Sequence, residues 1–471
     1  MNRYKRLFSN TAIFAIGTVG SKLLVFLLMP LYTAWLTPEE FGAAEMITAV
    51  SNFIIPIACV GIGTGIFRFA LDKELDKDAV FSCSIAILGG GLGVFALSSP
   101  LLLLLDYYRA SVWLIVLYVI FANLQAVCAQ YVRAIDRTAL FAGQGIFNTA
   151  LTIAFNVLFL FVFRMGVVGY VLSVVMGNFV TVLFLVWRAK LWLCFKPSKI
   201  HKPMMRDLLK FSIPIIPTTM CWLITDLSDR TMVTYFWGDA VNGIYAAAYK
   251  IPTIVTLLSG VFLQAWQFSA LADTKNEEDC KKFYSQVFGV FLSVIMISGA
   301  GLIFLSKPLT ALLLATSYFG ASQYMPTLLC AAVLEAMVAF LATIYLVKKK
   351  STHSFITALI GAGCNLILNL ILIPSIGALG AAIATLASYA LVLIVRLLDT
   401  RQMLRFSCRL PRLLCSSVLL LLMTAIETLN PAGRVWWSFG LMVVLVAIQL
   451  PELFSAFRLL LKRRRTTDIS K

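Results

Sequence analysis

Apolar residues run along this chain in long blocks, interrupted by short polar segments that contain glycine and proline. A bilayer-spanning helix needs about 20 mostly apolar residues. Fourteen blocks reach that length: 9–36, 42–66, 79–104, 111–132, 142–163, 167–187, 211–236, 243–268, 285–306, 324–347, 354–374, 378–398, 412–429 and 435–457. The first block follows a basic start (Arg3, Lys5, Arg6) and is longer than a signal-peptide core, so it reads as an uncleaved anchor. The pattern predicts an all-α polytopic membrane protein with about fourteen transmembrane helices.

Composition removes the alternatives. Of 471 residues, 60% are apolar and 13% charged, against about half and about a quarter in a soluble domain. A water-surrounded core cannot hide that many apolar side chains. Soluble enzymes, nucleic-acid-binding domains and disulfide scaffolds are thereby excluded for the whole chain. Cys59, Cys83, Cys128, Cys221, Cys330 and Cys364 sit inside apolar blocks, where they read as small hydrophobes. The two histidines, His201 and His353, fall in polar loops and cannot assemble a His-based metal site. No metal ligand set and no cofactor motif is expected.

The net charge of +17 is distributed with a period of two segments. With a cytoplasmic N-terminus, the cytoplasmic segments hold 32 Lys and Arg. The opposite side holds four: Arg109, Arg164, Lys307 and Arg434. Lys22, Arg230 and Lys250 lie within spans. Such asymmetry orients a membrane protein, so both termini and the 188–210 segment are expected in the cytoplasm. The charge needs no nucleic-acid partner. The basic run Lys462-Arg463-Arg464-Arg465 is expected to rest on anionic membrane lipids. The longest outer loop, 307–323, is under 20 residues and leaves no room for an external catalytic domain, so the chain is not expected to be an enzyme.

An internal repeat divides the chain. Thr37-Pro38-Glu39-Glu40-Phe41-Gly42 precedes span two, and Gly238-Asp239-Ala240-Val241-Asn242-Gly243 precedes span eight. Gly166-Val-Val-Gly169 opens span six and Gly377-Ala-Leu-Gly380 opens span twelve, each after a helix carrying Asn156 or Asn365. The expected organisation is a six-helix lobe (1–187), a basic cytoplasmic linker (188–210), a second six-helix lobe (211–398), and an extra helix pair with a basic tail (399–471). An even number of spans per half predicts a pseudo-two-fold along the membrane normal.

Ionisable groups at membrane depth cost about 2.5–3.5 kcal/mol each and usually face a cavity or a partner. Lys22, Glu45, Asp226, Asp229, Arg230, Lys250 and Glu335 qualify, and Glu427 lies near an outer span end. Each also has a structural reading. Asp226 and Arg230, four apart, can form an intrahelical pair; Lys22 and Lys250 can snorkel; Glu45 can pair with Lys22; Glu335 can be a neutral core residue. The amides Asn123, Gln125, Gln130, Asn148, Asn156, Gln264, Gln267, Asn365 and Asn369 can bond sugar hydroxyls or neighbouring helices. Pro214, Pro217 and Pro252 predict bends beside the charged residues. Gly89-Gly90-Gly91-Leu92-Gly93 lies inside span three and reads as close helix packing.

Several of these segments resemble one family. Asn10-Thr11 through Gly17, Gly20-Ser21-Lys22, Pro30-Leu31-Tyr32, Phe41-Gly42-Ala43-Ala44-Glu45, Phe67-Arg68-Phe69, Ser228-Asp229-Arg230, Ala248-Tyr249-Lys250-Ile251 and Gly377 to Ala382 occur in the order seen in polysaccharide flippases. Those flippases belong to the multidrug/oligosaccharidyl-lipid/polysaccharide exporter superfamily. The resemblance implies transfer of undecaprenyl-pyrophosphate-linked oligosaccharide from the inner to the outer leaflet of a bacterial cytoplasmic membrane. It implies a cationic cavity with Lys22, Arg230 and Lys250, balanced by Glu45 and Asp229. A polysaccharide polymerase and other assembly proteins are the implied partners. An H+ or Na+ gradient would drive the cycle, with Glu45, Asp226, Asp229 or Glu335 accepting the ion. A drug/cation antiporter of the same fold and a peptidoglycan-precursor flippase are the alternatives.

Overall fold

The computed structural model describes residues 28–469 except 73, 273–276 and 349. Among the described residues every regular element is helical. Two compact units divide at Gly243 and Ile244. The first holds α1 (Met29–Trp35), α2 (Pro38–Ala58), α3 (Ile62–Ala70), α4 (Lys77–Ser98), α5 (Val112–Ala134) and α6 (Thr138–Asn156). It continues through α7 (Gly166–Ala189), α8 (Leu191–Cys194), α9 (Lys202–Ser212), α10 (Ile216–Trp237) and the start of α11 (Asp239–Lys250). The second holds the rest of α11, then α12 (Thr253–Ala272), α13 (Glu277–Phe304), α14 (Ser306–Leu313) and α15 (Ala321–Val347). It ends with α16 (Ser351–Ile376), α17 (Ala378–Met403), α18 (Leu410–Leu429) and α19 (Arg434–Ile469). The expected span 211–236 thus groups with the first unit.

Among the described residues, twelve helical segments are long and apolar enough to cross a membrane. A thirteenth is the bent pair α11 and α12, which meet at 40°. The expected first span, 9–36, lies mostly outside the described residues.

The bends have local causes. A capping box starts α2: the Thr37 hydroxyl accepts from the Glu40 N–H, and the Glu40 carboxylate accepts from the Thr37 N–H. The expected span 42–66 is broken at 59–61, where Val60 and Gly61 take φ of 51° and 66°. That conformation is unusual for a β-branched residue. A Cβ on Gly61 would stand 2.9 Å from the Ser212 carbonyl oxygen. Between α9 and α10, residues Ile213–Ile215 tighten into a 3-10 turn around Pro214, and α11 stops before Pro252. Proline lacks the N–H an α-helix needs at these points.

The repeated glycine pair begins with a positive-φ residue in each unit. Gly166 and Gly377 take φ of 54° and 63°. A Cβ on Gly169 would stand 3.1 Å from the Phe159 carbonyl oxygen, and one on Gly380 would stand 2.7 Å from that of Leu372. In both places the second glycine lets a helix start close against the end of the one before it.

The 188–210 segment is folded rather than extended. Lys196 bonds Asp78 at 2.5 Å and Lys199 bonds Asp76 at 2.5 Å, pinning it to the start of α4. Met204 and Leu208 are buried on the inner face of α9. In the second unit, α15 is the central helix, packed by α12, α13, α17 and α18. Glu427, expected near an interface, is buried: it accepts from Arg434 at 2.6 Å and from Ser438 at 2.7 Å. At the other end of this helix pair, Glu452 accepts from Arg409 and Arg412 at 2.8 and 2.7 Å. In the glycine run, a Cβ on Gly91 would meet the Ala58 carbonyl oxygen at 2.2 Å, so close packing holds there. Gly89, Gly90 and Gly93 face open space instead.

Candidate functional site

Three of the candidate residues converge in the first unit. Glu45, on the second turn of α2, is 3% exposed. Its Oε2 accepts from Arg230 Nη1 at 2.8 Å, across 185 residues of sequence. Its Oε1 accepts from the Tyr170 hydroxyl of α7 at 2.7 Å. Arg230 Nε also donates to Asp226 Oδ1, one turn earlier on α10, at 3.3 Å. The expected intrahelical pair is therefore present, and it is one arm of a three-residue cluster. Glu45 and Arg230 are both buried, whereas the Asp226 side chain is 37% exposed. Arg230 thus joins a buried carboxylate to one that reaches an open face.

Aromatic residues wall the buried end. Tyr32 lies edge-on to Tyr170 at 5.0 Å, and Phe41 lies edge-on to Tyr170 at 5.8 Å. Asn156 donates to the Tyr32 hydroxyl at 3.0 Å. A buried ion pair stands only if its remaining hydrogen-bonding capacity is met, and Tyr170 and Asp226 meet part of it.

The remaining described candidates lie on α10, α11 and α15. Asp229 is buried on α10. Lys250 is the last residue of α11 and is partly exposed at the bend before α12, in the second unit. Glu335 is partly exposed midway along α15. Lys22 lies outside the described residues.

Most of the amides join helices. Gln125 donates to Gln144 at 2.6 Å, Asn148 to Asn178 at 3.1 Å, and Asn365 to Thr385 at 3.3 Å. The side chains of Gln264 and Gln267 lie outside the described ones.

Beside the cluster, α2 and the first turn of α11 touch through the repeated 37–42 and 238–243 segments. A Cβ on Gly42 would fall 2.0 Å from the Asp239 carbonyl oxygen, and one on Gly243 would fall 1.8 Å from that of Pro38. The two glycines thus face each other reciprocally. Asn242 donates to the Gly42 carbonyl at 3.2 Å and the Tyr107 hydroxyl donates to Asp239 at 2.6 Å. Burial, and then the Asp239 carboxylate, push the Tyr107 phenol well above its ordinary value, so it remains a donor.

A buried arginine was not expected. Arg396 of α17 is 2% exposed. Its Nε donates to Thr357 Oγ1 at 3.0 Å, its Nη1 donates to the Val338 carbonyl at 2.8 Å, and it lies 5.6 Å from the Tyr345 ring centre. It stands two residues from the end of an apolar block, so it counts with the cytoplasmic charges when only the sequence is read. Its place just inside that boundary, on a helix rich in small residues, was the available signal.

Membrane-length helices broken at bends, with an ion cluster buried among them, define a polytopic helical membrane protein. Three solved structures share that fold. A lipid II flippase MurJ in an inward closed conformation matches with a TM-score of 0.72 at 16% identity, covering 96% of this chain and 100% of that one. An inward-facing multidrug resistance MATE transporter of the MOP superfamily matches at 0.65 and 17% identity, covering 83% and 98%. An outward-facing multidrug resistance MATE family transporter of the MOP superfamily matches at 0.59 and 17% identity, covering 83% and 94%. No curated protein sequence matches the chain. The family described as "Polysaccharide biosynthesis protein" matches residues 7–268. The chain belongs to that family.

Proposed function

We propose that this protein is a flippase for undecaprenyl-pyrophosphate-linked oligosaccharide, moving it from the inner to the outer leaflet by ion-coupled alternating access. The observation that carries the reading is the cluster of Glu45, Arg230 and Asp226, charged groups held at membrane depth on helices bounded by breaks. A glycan hydroxyl left unpaired in hydrocarbon costs about 4–8 kcal/mol, and the pyrophosphate costs more. A hydrated cationic path removes both costs while the lipid tail stays in the membrane. Arg230 is shared between two carboxylates, so either an arriving phosphate or protonation of a carboxylate changes its partner. Lys22 and Lys250 supply further positive charge, and Glu45, Asp226, Asp229 and Glu335 are the candidate acceptors for H+ or Na+. One charge crossing the membrane is worth about 2.3 kcal/mol per 100 mV, enough to bias such an exchange.

The protein would reside in a bacterial cytoplasmic membrane with both termini inside, beside a polysaccharide polymerase and other assembly proteins. The short outer loops favour transport over enzymatic chemistry. The test is the amount of lipid-linked oligosaccharide in the outer leaflet of cells bearing Lys22→Ala with Lys250→Ala. Normal protein levels with lost export are expected. Near-normal export would show that both lysines only snorkel. Rescue of drug sensitivity without glycan export would instead identify a drug/cation antiporter, and accumulation of peptidoglycan precursor alone would identify a precursor flippase.

A further inference from the structure

A cationic cleft lies away from the Glu45 cluster. At one end of α5, α6 and α7 is a cleft of about 600 Å3. Two backbone reversals build it. Asp136 takes φ of 66°, which turns the chain from α5 into α6, and Lys190 takes φ of 55° just after α7 ends. The start of α6 is thereby brought beside the end of α7. Arg137, the residue before α6, ties the two ends together: its Nη1 donates to the Ala189 carbonyl at 3.3 Å. Arg188 and Lys190 line the same cleft with Asp136 and Thr138.

Three exposed cations therefore share this cleft with one carboxylate, Asp136. The excess positive charge is self-repelling, and an anion relieves it. The first turn of α6 adds to the attraction. No side chain caps that helix, and its opening residues line the cleft, so backbone N–H groups and the positive end of the helix dipole are presented there.

The surroundings select the kind of anion. Trp187, Leu183, Trp192 and Leu193 are exposed next to the basic residues. Tryptophan collects where a membrane meets water, and the cleft sits at the ends of three membrane-length helices. An anion with acyl chains satisfies both halves of the surface. We propose that this cleft binds the phosphate headgroup of an anionic membrane phospholipid, with its chains along the exposed apolar side of α7. The site is distinct from the Glu45 cluster and does not depend on the identity of the transported substrate.

The test uses the full-length protein in detergent with a phosphatidylglycerol carrying a photoactivatable acyl chain. Crosslinks are mapped by mass spectrometry. Arg188→Gln with Lys190→Gln removes two charges while keeping the bond from Arg137 to Ala189. Lys202→Gln with Arg206→Gln removes two exposed charges from α9 as the control. Basic residues near a membrane surface each contribute enough for the cleft variant to lose roughly 30-fold of the α7 crosslink. The control should match the parent, and excess glycerol 3-phosphate should leave the crosslink in place. If the double variant fails to reach the parent's thermal stability, Lys190→Gln alone should lower the crosslink about fivefold. Equal labelling of cleft and control variants, or equal labelling by a phosphatidylcholine probe, would overturn the site. Abolition of the crosslink by glycerol 3-phosphate would overturn the lipid assignment in favour of a soluble phosphate.

Discussion

Replacing Gly42 by alanine tests whether the reciprocal glycine contact holds one conformation of the protein. The new Cβ would lie 2.0 Å from the Asp239 carbonyl oxygen. Ordinary contact begins near 3.4 Å, so α2 and the start of α11 must part by about 1.4 Å. The obstacle is backbone, which cannot rotate aside. Overpacking of this kind costs about 1–3 kcal/mol. The bonds from Asn242 to Gly42 and from Tyr107 to Asp239 are strained or lost, at about 1 kcal/mol each. A total of about 3–5 kcal/mol shifts a two-state balance roughly 100-fold or more. In an alternating-access cycle the favoured state becomes the one in which these segments have separated. Met46 is buried one turn beyond Gly42 on the same face of α2, so Met46→Cys in purified protein reports the opening. Its maleimide labelling should be slow in the parent and much faster with Gly42→Ala, above the background of the native cysteines. Equal labelling rates in the two proteins would refute the argument.

Three further outcomes are expected. Breaking a buried ion pair on one side costs about 3–5 kcal/mol, so Glu45→Gln and Arg230→Gln should each lower thermal stability more than the double change does; additive losses would mean that the pair is not coupled. Arg396→Lys should destabilise the second unit by a few kcal/mol, because an ammonium cannot reach Thr357 and the Val338 carbonyl in the same geometry, and an unchanged melting temperature would contradict this. The contact of Asp76 with Lys199 should hold the 190–201 segment over a wide pH range. The hydrogen bond from Lys199 holds the Asp76 carboxyl below its ordinary value, and the same bond holds the Lys199 ammonium above its own. Stability from Asp76 is complete above the ordinary carboxylate value and disappears as pH falls through its lowered one. Stability from Lys199 is complete below the ordinary lysine value and disappears as pH rises through its raised one. Limited proteolysis of this segment should therefore be flat from about pH 5 to about pH 10 and rise outside it; a step near neutrality would be inconsistent with this pair.

The helices and their bends were legible because length, apolarity and proline act locally. Pro214 and Pro252 mark joints that any neighbouring structure must accept. The pairing of Arg230 with Asp226 was also legible, since four residues is one helical turn. Its second bond, to Glu45, was not: the two residues are 185 positions apart, and only tertiary structure decides which distant helix faces which. Arg396 was obscured by its nearness to a span boundary, where an arginine ordinarily reaches water. The 188–210 segment reads as a charged connection, yet Met204 and Leu208 lie four apart and seat α9. The glycine run shows the limit of composition: Gly91 fits against a backbone, and its neighbours do not.

The paired glycines at the starts of α7 and α17 bear on how a duplicated chain ages. After a duplication, most side chains in the two copies drift independently, and lipid-facing positions accept almost any apolar replacement. Gly166 and Gly377 are restrained differently, because a left-handed backbone penalises every residue with a Cβ. Gly169 and Gly380 are restrained by the neighbouring backbone, which leaves no volume for a side chain. These sites therefore act as slow clocks. If the two units descend from one ancestral copy, these sites would preserve its register after the intervening sequence had lost its likeness, and that ancestry would be better traced through backbone conformation than through side-chain identity.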